Sequence, residues 1–277
     1  VVALGILTPS ELRSSAWRRL YRGVYADALL PDSMDVRVSG ASLLIPQAAA
    51  FSGRTAAFLH GATELVDRRG PLEVSVPDDK RFGPVAGLRI RRVQLPDGDV
   101  ATVRGRRCTT GLRTALDISR HEPLPDAVAA LDVLVVRAIV GQGALRESAA
   151  LWEGRGARRV RQATELVDPR AESQPESRVR VLLALAGLRP EPQYTVRDAA
   201  GHVMARVDLA FPELRIAIEY DGVWHAEPGQ FAKDRQRLNR LVASGWRVIH
   251  VTAADLRDPD ALIARIRALV LSAPSAK

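Results

Sequence analysis

The chain is short of several residue types, and each shortage narrows what it can be. Cys108 is the single cysteine, which excludes an internal disulfide and a cysteine-cluster zinc site. A lone thiol of this kind reads as a small buried hydrophobe. No apolar run approaches 18 residues, so no membrane-spanning helix and no membrane partner are expected. The first residues lack the charged-then-apolar pattern of a secretory signal, which predicts a cytoplasmic protein. Lysine is scarce: Lys80, Lys233 and Lys277 stand beside 37 arginines. No aromatic platform for stacking single-stranded RNA is visible.

What is present points to a globular protein in two parts. Hydrophobic residues make up 47% of 277 positions, enough for a proper core. The length favours two domains. The polar stretch "DPRAESQP", 168 to 175, has proline near both ends and marks the boundary, giving domains 1–168 and 169–277. Net charge is +8, with most of the basic excess in the first part. Arginine suits bidentate contacts to phosphate and base edges, so DNA is the expected partner. A GC-rich genome would write the same excess of arginine over lysine.

In the first part, Thr8-Pro9-Ser10-Glu11 is a helix-start signal. "RLYRGVYAD" then alternates as a strand or small hairpin. A short helix before a basic β wing is the pattern of a winged helix-turn-helix. Arg18, Arg19 and Arg22 would then lie near phosphate; otherwise they form a solvated basic edge. Residues 34–50 and 53–61 read as helices. "PLEVSVP", "GLRIRRVQL" and "ATVRGRRCTT" read as strands, and 110–167 as three or four helices. His60 and His121 have no second metal ligand at suitable spacing and read as structural.

The second part has the order αβββαβα. Helices are expected at about 174–187, 229–244 and 258–272, and strands at 191–197, 203–211, 214–221 and 246–252. In "MARVDLAF", alternation puts Val207, Leu209 and Phe211 on one face and Arg206, Asp208 and Ala210 on the other. In "LRIAIEYD", Ala217, Glu219 and Asp221 share a face. A tight Pro212-Glu213 turn pairs Phe211 with Leu214 and Asp208 with Ala217, leaving Glu219 as the diagonal neighbour of Asp208. Three carboxylates on one face repel unless a cation or protons are shared. Hard oxygen ligands select Mg²⁺ or Mn²⁺, and such an ion can activate water for phosphodiester hydrolysis. Arg206 or Arg215 could neutralise the acids instead.

The helices aim further acids at the same sheet. Glu176 lies one turn before Val179 on the apolar stripe of the first helix. Asp234 lies four residues before Leu238 and can pair with Arg237. His225, just beyond Trp224 and four residues past Asp221, is a candidate general acid or base, with Lys233 second. Arg235 and Arg237 are candidate backbone contacts. His202 and His250 receive no role.

The strings "ESQPESRVR", "ARVDLAF", "IEYDGVWH", "FAKDRQR" and "SGWRVIHV", in this order, resemble the very-short-patch-repair (Vsr)-like endonuclease family of the PD-(D/E)xK superfamily. That resemblance implies an αβββαβ restriction-endonuclease-like core. It matches Asp208 to the central metal-binding aspartate, Glu219 to the glutamate of E-x-K and Glu176 to the first-helix acid. The lysine position holds Asp221, which leaves the general base open. The repair enzyme's cysteine/histidine zinc site has no counterpart, so its mismatch specificity is not carried over. "LTPSELRSSAWRRLYRGVYAD" and "FSGRTAAFLHGA" resemble the winged-helix region of AbiEi-like abortive-infection antitoxins, which implies DNA binding and operon repression. The expected fold class is mixed α/β: a winged helix with an α+β region, then the nuclease-type core. The expected function is a Mg²⁺-dependent DNA endonuclease, with Asp208, Glu219 and Asp221 on the metal and a homodimer open. The alternative is a non-catalytic DNA-binding regulator or antitoxin with a vestigial nuclease fold.

Overall fold

The computed structural model describes residues 6–222 and 230–273, with only the backbone of 230–235. It divides into two compact units: 1–118 with 137–145, and 119–136 with 146–277.

The first unit opens with a 3-10 turn, Glu11–Arg13, closed by reciprocal bonds in which Thr8 N–H donates to Glu11 and Glu11 N–H donates to Thr8 Oγ1. The helix ends after one turn because Ser14 bonds back to Glu11 O and the chain turns into a hairpin. β1 (Trp17–Tyr21) and β2 (Val24–Asp27) pair across an Arg22-Gly23 turn. α1 (Met34–Ser42) starts at the Ser33 cap and stops well short of residue 50. Pro46 accounts for the difference: it lacks an N–H and pushes its predecessor out of the helical region.

β3 (Ala50–Phe51), α2 (Gly53–Leu59), β4 (Leu72–Val76), β5 (Leu88–Arg92), β6 (Val100–Val103) and β7 (Arg106–Thr109) follow. The five strands form one mixed sheet in the order β5-β4-β3-β7-β6. Phe51, Leu72, Val74, Val76 and Cys108 pack with Tyr21, Val24, Val38, Ala41 and Phe58 in its core. Glu73 is the polar exception. It is buried, accepts from Arg54 N–H at 2.7 Å, and meets Arg91 at 3.0 Å and Arg89 at 3.1 Å. Burial alone would raise its pKa. The guanidiniums and the Arg54 N–H outweigh that and hold it below the usual carboxylate range.

The helical stretch resolves into α3 (Gly111–His121), α4 (Leu124–Val136), α5 (Gln142–Leu151) and α6 (Ala157–Glu165). α4 and α6 belong to the second unit, where α4 packs on α7 (Gln174–Leu185). A buried ion pair ties those two helices: Arg180 Nη2 lies 2.8 Å from Asp132, which also accepts from Asp168 N–H. Burial outweighs these partners and raises the Asp132 pKa.

β8 (Glu191–Arg197), β9 (Val203–Phe211), β10 (Ile216–Asp221), α8 (Gln230–Ala243), β11 (Arg247–Thr252) and α9 (Pro259–Leu271) complete the αβββαβα order read from the sequence. The sheet runs β11-β10-β9-β8, antiparallel except that β10 and β11 are parallel. One face packs Leu209, Ile216, Ile218 and Val251 against Val179 and Leu183 of α7 and Leu262 and Ile266 of α9. The other packs Val207, Ala210, Ala217 and Trp246 against Leu241 of α8. Among the described residues, no helix is long and apolar enough to cross a membrane.

Candidate acidic site of the C-terminal sheet

Strict alternation fails along β9, and it fails at the residue of most interest. Leu209 and Phe211 lie in the core under α7 and α9, as alternation requires. Ala205 and Val207 lie in the other core, under α8. The change of face falls at Asp208. β8 and β9 hold one register from Glu191↔Ala210 to Val196↔Ala205, yet Gln193 and Asp208 do not bridge. Gln193 takes a φ of 53, which twists the pair locally.

The β9–β10 register also differs from expectation. Residues 212–214 form a 3-10 turn and Arg215 sits at φ 50, so the connection is longer than a two-residue turn. Phe211 therefore pairs with Ile216, Ala210 with Ala217 and Leu209 with Ile218. Continued one step, this register brings Asp208 level with Glu219 instead of Ala217. The β9–β10 ladder stops there, and the Tyr220 N–H donates to Asp208 Oδ2 at 2.8 Å.

Asp208 is thus half-buried at the point where β9 leaves β10. Its pKa is pushed up to about 6. Burial is the main cause, with repulsion from Glu176 and Glu219 adding to it; the Tyr220 N–H and Arg237 oppose the rise. Glu219 is 8% exposed and holds Arg237 through both oxygens, at 2.7 and 2.8 Å. Arg237 also donates to Arg206 O at 3.2 Å. The neutralising cation is therefore Arg237, expected from sequence beside Asp234 or on DNA. Arg206 pairs with Glu172, and Arg215 donates to Ser244 O.

Glu176 is tied to the cap of α7: Ser173 Oγ accepts from Glu176 N–H and donates to Glu176 Oε1 at 2.7 Å. Its second oxygen accepts from Gln193 Nε2 at 2.8 Å, linking the helix cap to the twisted residue opposite Asp208. Asp221 turns elsewhere. Exposed at the end of β10, it lies 3.0 Å from His250 Nδ1 on β11, a histidine that the sequence left without a role.

The structure therefore gathers Asp208, Glu219, Glu176 and Arg237, and sets Asp221 with His250. Among the described residues, no three histidine, cysteine or acidic side chains stand close enough to hold one metal ion. Asp208, Glu219 and Asp221 as they stand do not fit the expected Mg²⁺ or Mn²⁺ set. Trp224 and His225, and the side chains of Lys233, Asp234 and Arg235, lie outside the described residues. In the first unit, Arg18 pairs with Asp32 at 2.8 Å, Arg19 donates to Tyr21 O, and Arg22 is exposed on the hairpin turn.

Gln193, Ser173 and His250 were missed by sequence reasoning. The spacing Ser173-x-x-Glu176 is a legible cap signal. Nothing local marks Gln193 for a positive φ, and His250 meets Asp221 only through the parallel β10–β11 pairing.

Comparison with known proteins places the chain. Residues 48–169 match the AbiEi antitoxin C-terminal domain family. The match runs from β3 to α6 and takes in the string "FSGRTAAFLHGA", while the β1–β2 hairpin string that also carried the resemblance lies before it. One solved structure, a Homing Endonuclease I-Bth0305I Catalytic Domain, aligns with a TM-score of 0.30 and 25% identity, over 35% of this chain and 94% of that one. Two Mycobacterium tuberculosis proteins, Uncharacterized protein MT2308 of strain CDC 1551 / Oshkosh and Uncharacterized protein Rv2248 of strain ATCC 25618 / H37Rv, are each 32% identical over 263 residues. The aligned region is 92% of this chain and 93% of each relative. On that near-complete likeness the chain belongs to the family of these two mycobacterial proteins, and its residues 48–169 are similar to the AbiEi antitoxin C-terminal domain family.

Proposed function

We propose that the chain is a DNA-binding regulator of the antitoxin class, whose C-terminal sheet keeps the acids of a nuclease-type site in ion pairs and hydrogen bonds. The observation that carries this is the two-pronged Arg237–Glu219 pair. A bidentate guanidinium takes two of the carboxylate's roughly four acceptor sites and neutralises the charge that would draw a metal ion. Glu176, the first-helix acid, is likewise engaged by Ser173 and Gln193. The antitoxin-type region at 48–169 supports the same reading. In it, arginines hold the DNA backbone and binding weakens steeply with salt.

A second reading, a Mg²⁺- or Mn²⁺-dependent DNA endonuclease, has one observation in its favour. Asp208 stands half-buried beside two other acids with its pKa near 6, an imbalance that a bound cation would relieve. The two readings separate in one experiment. The full chain is incubated with plasmid DNA and Mg²⁺ or Mn²⁺, beside Asp208→Ala and Glu219→Ala, and its binding to the same DNA is measured by gel shift. The regulator reading expects DNA binding and no cleavage by any of the three proteins. Cleavage by the wild type that both variants lose would refute it and establish the nuclease.

A further inference from the structure

We infer that the β6–β7 hairpin of the first unit, through Arg104 and Arg106, is a second contact for the DNA backbone, working beside the β1–β2 hairpin. This rests on the DNA-binding reading above and deepens it by naming the surface.

The first observation is how these guanidiniums are held. Several basic residues of this unit are fixed by acids: Arg18 by Asp32, Arg89 and Arg91 by Glu73, Arg113 by Asp99 and Asp117. Arg19, Arg37 and Arg92 are held by backbone carbonyls. Arg104 and Arg106 are likewise held by neutral groups, in their case side chains. The Arg104 guanidinium stands 5.8 Å from the centre of the Phe58 ring. Arg106 Nη2 donates to Ser39 Oγ at 3.1 Å. Neither has a carboxylate within ion-pair distance among the described residues. Their positions are set in advance while their charge is left uncompensated, which is what an anionic partner needs at little ordering cost.

The second observation is local strain. Arg104 occupies the first central position of the hairpin turn at φ 50, and Gly105 follows at φ 69. This is a type I′ turn, where asparagine or glycine is favoured. An arginine there works against the local preference, and the turn puts its side chain at an exposed tip.

The third observation is where the tip lies. Ser39, which receives Arg106, is followed by Gly40. A methyl group on Gly40 would lie 2.8 Å from Leu20 Cδ1, 3.3 Å from Tyr21 Cε2 and 3.4 Å from Val24 Cγ1. Leu20, Tyr21 and Val24 flank the Arg22-Gly23 turn of the first hairpin. Both arginine-glycine hairpins therefore rest on two adjacent residues of α1. Arg19 and Arg22 of the first hairpin also have no carboxylate partner among the described residues. Arg107 is weakly held, 3.8 Å from an exposed Asp97. The two hairpins, both in touch with α1, thus carry four guanidiniums without a carboxylate partner among the described residues: Arg19, Arg22, Arg104 and Arg106. Charge without base-reading geometry suits the phosphate backbone of a duplex.

The test is fluorescence anisotropy of the full chain with a labelled DNA duplex of about 30 base pairs across a salt series, comparing wild type, Arg104→Asn/Arg106→Gln and Arg104→Lys/Arg106→Lys. Asparagine suits the turn, and equal melting temperatures check that the variant is folded. Loss of two phosphate contacts should lower the salt slope by about 2 and weaken binding on the order of 60-fold at about 0.1 M salt, with the difference vanishing toward about 1 M. The lysine variant should keep most of the slope. A neutral variant with an unchanged slope, while the wild type binds, overturns this surface and leaves the DNA reading standing. A wild type that binds no duplex overturns both. A neutral variant that loses binding to single-stranded RNA but not to duplex overturns the choice of partner.

Discussion

Replacing Arg237 with methionine tests the central electrostatic argument directly. The substitution keeps the apolar length of the side chain and removes the guanidinium from Glu219. Glu219 is 8% exposed, so its charge would be left nearly dry beside Asp208 and Glu176. Breaking a buried pair from one side costs roughly 3–5 kcal/mol. Arg237 itself is about one-third exposed, so water can reach the vacated space and the cost falls to about 2 kcal/mol. For a unit of about 150 residues that is a drop in melting temperature of roughly 4–8 °C. Because the chain has two units, calorimetry should be used, and the loss should fall on one transition only. Adding Glu219→Gln to Arg237→Met should recover most of the loss, since the stranded charge is then gone. A single variant within about 0.5 kcal/mol of wild type, or a double variant no better than the single, would refute the claim that Glu219 depends on Arg237.

Two further outcomes follow from the structure. Asp208 has a folded pKa near 6, above its unfolded value, so the folded state binds its proton more tightly. The stability from this group is full below the unfolded pKa, near 4, and is lost as pH rises through about 6. Asp208→Asn should flatten the melting temperature of the second unit between those limits, and an equally steep dependence in the variant would count against the burial argument. In the first unit, Gly53 has a φ of +52 and a methyl group there would lie 2.1 Å from Glu73 Oε2. Gly53→Ala should cost about 3 kcal/mol in urea unfolding, from backbone strain and from displacing Glu73 off the Arg54 N–H; a loss under about 1 kcal/mol would show that Glu73 moves freely.

The order of elements in the second unit was legible because its signals are local. Apolar alternation marks β9 and β10, and Ser173, Pro175 and Glu176 mark the start of α7. Pro46 carried a local signal too, and reading past it made α1 too long. The carboxylates themselves, and their concentration around β9 and β10, stand plainly in the sequence. Composition also showed the arginine excess, but it could not show which arginines are neutralised.

Tertiary structure decided the rest. The level of Asp208 depends on a turn in which Arg215 adopts a positive φ, and the face of Val207 depends on a twist at Gln193. Both are backbone states that the residue type does not announce, and each moves side chains by a pleat or a face. Arg237 lies 18 residues beyond Glu219 and reaches it because α8 packs back across the sheet. Arg106 reaches Ser39 across 67 residues. Charge is written residue by residue, but which charge meets which depends on packing between distant segments. That packing separates guanidiniums spent on carboxylates from those left for a partner.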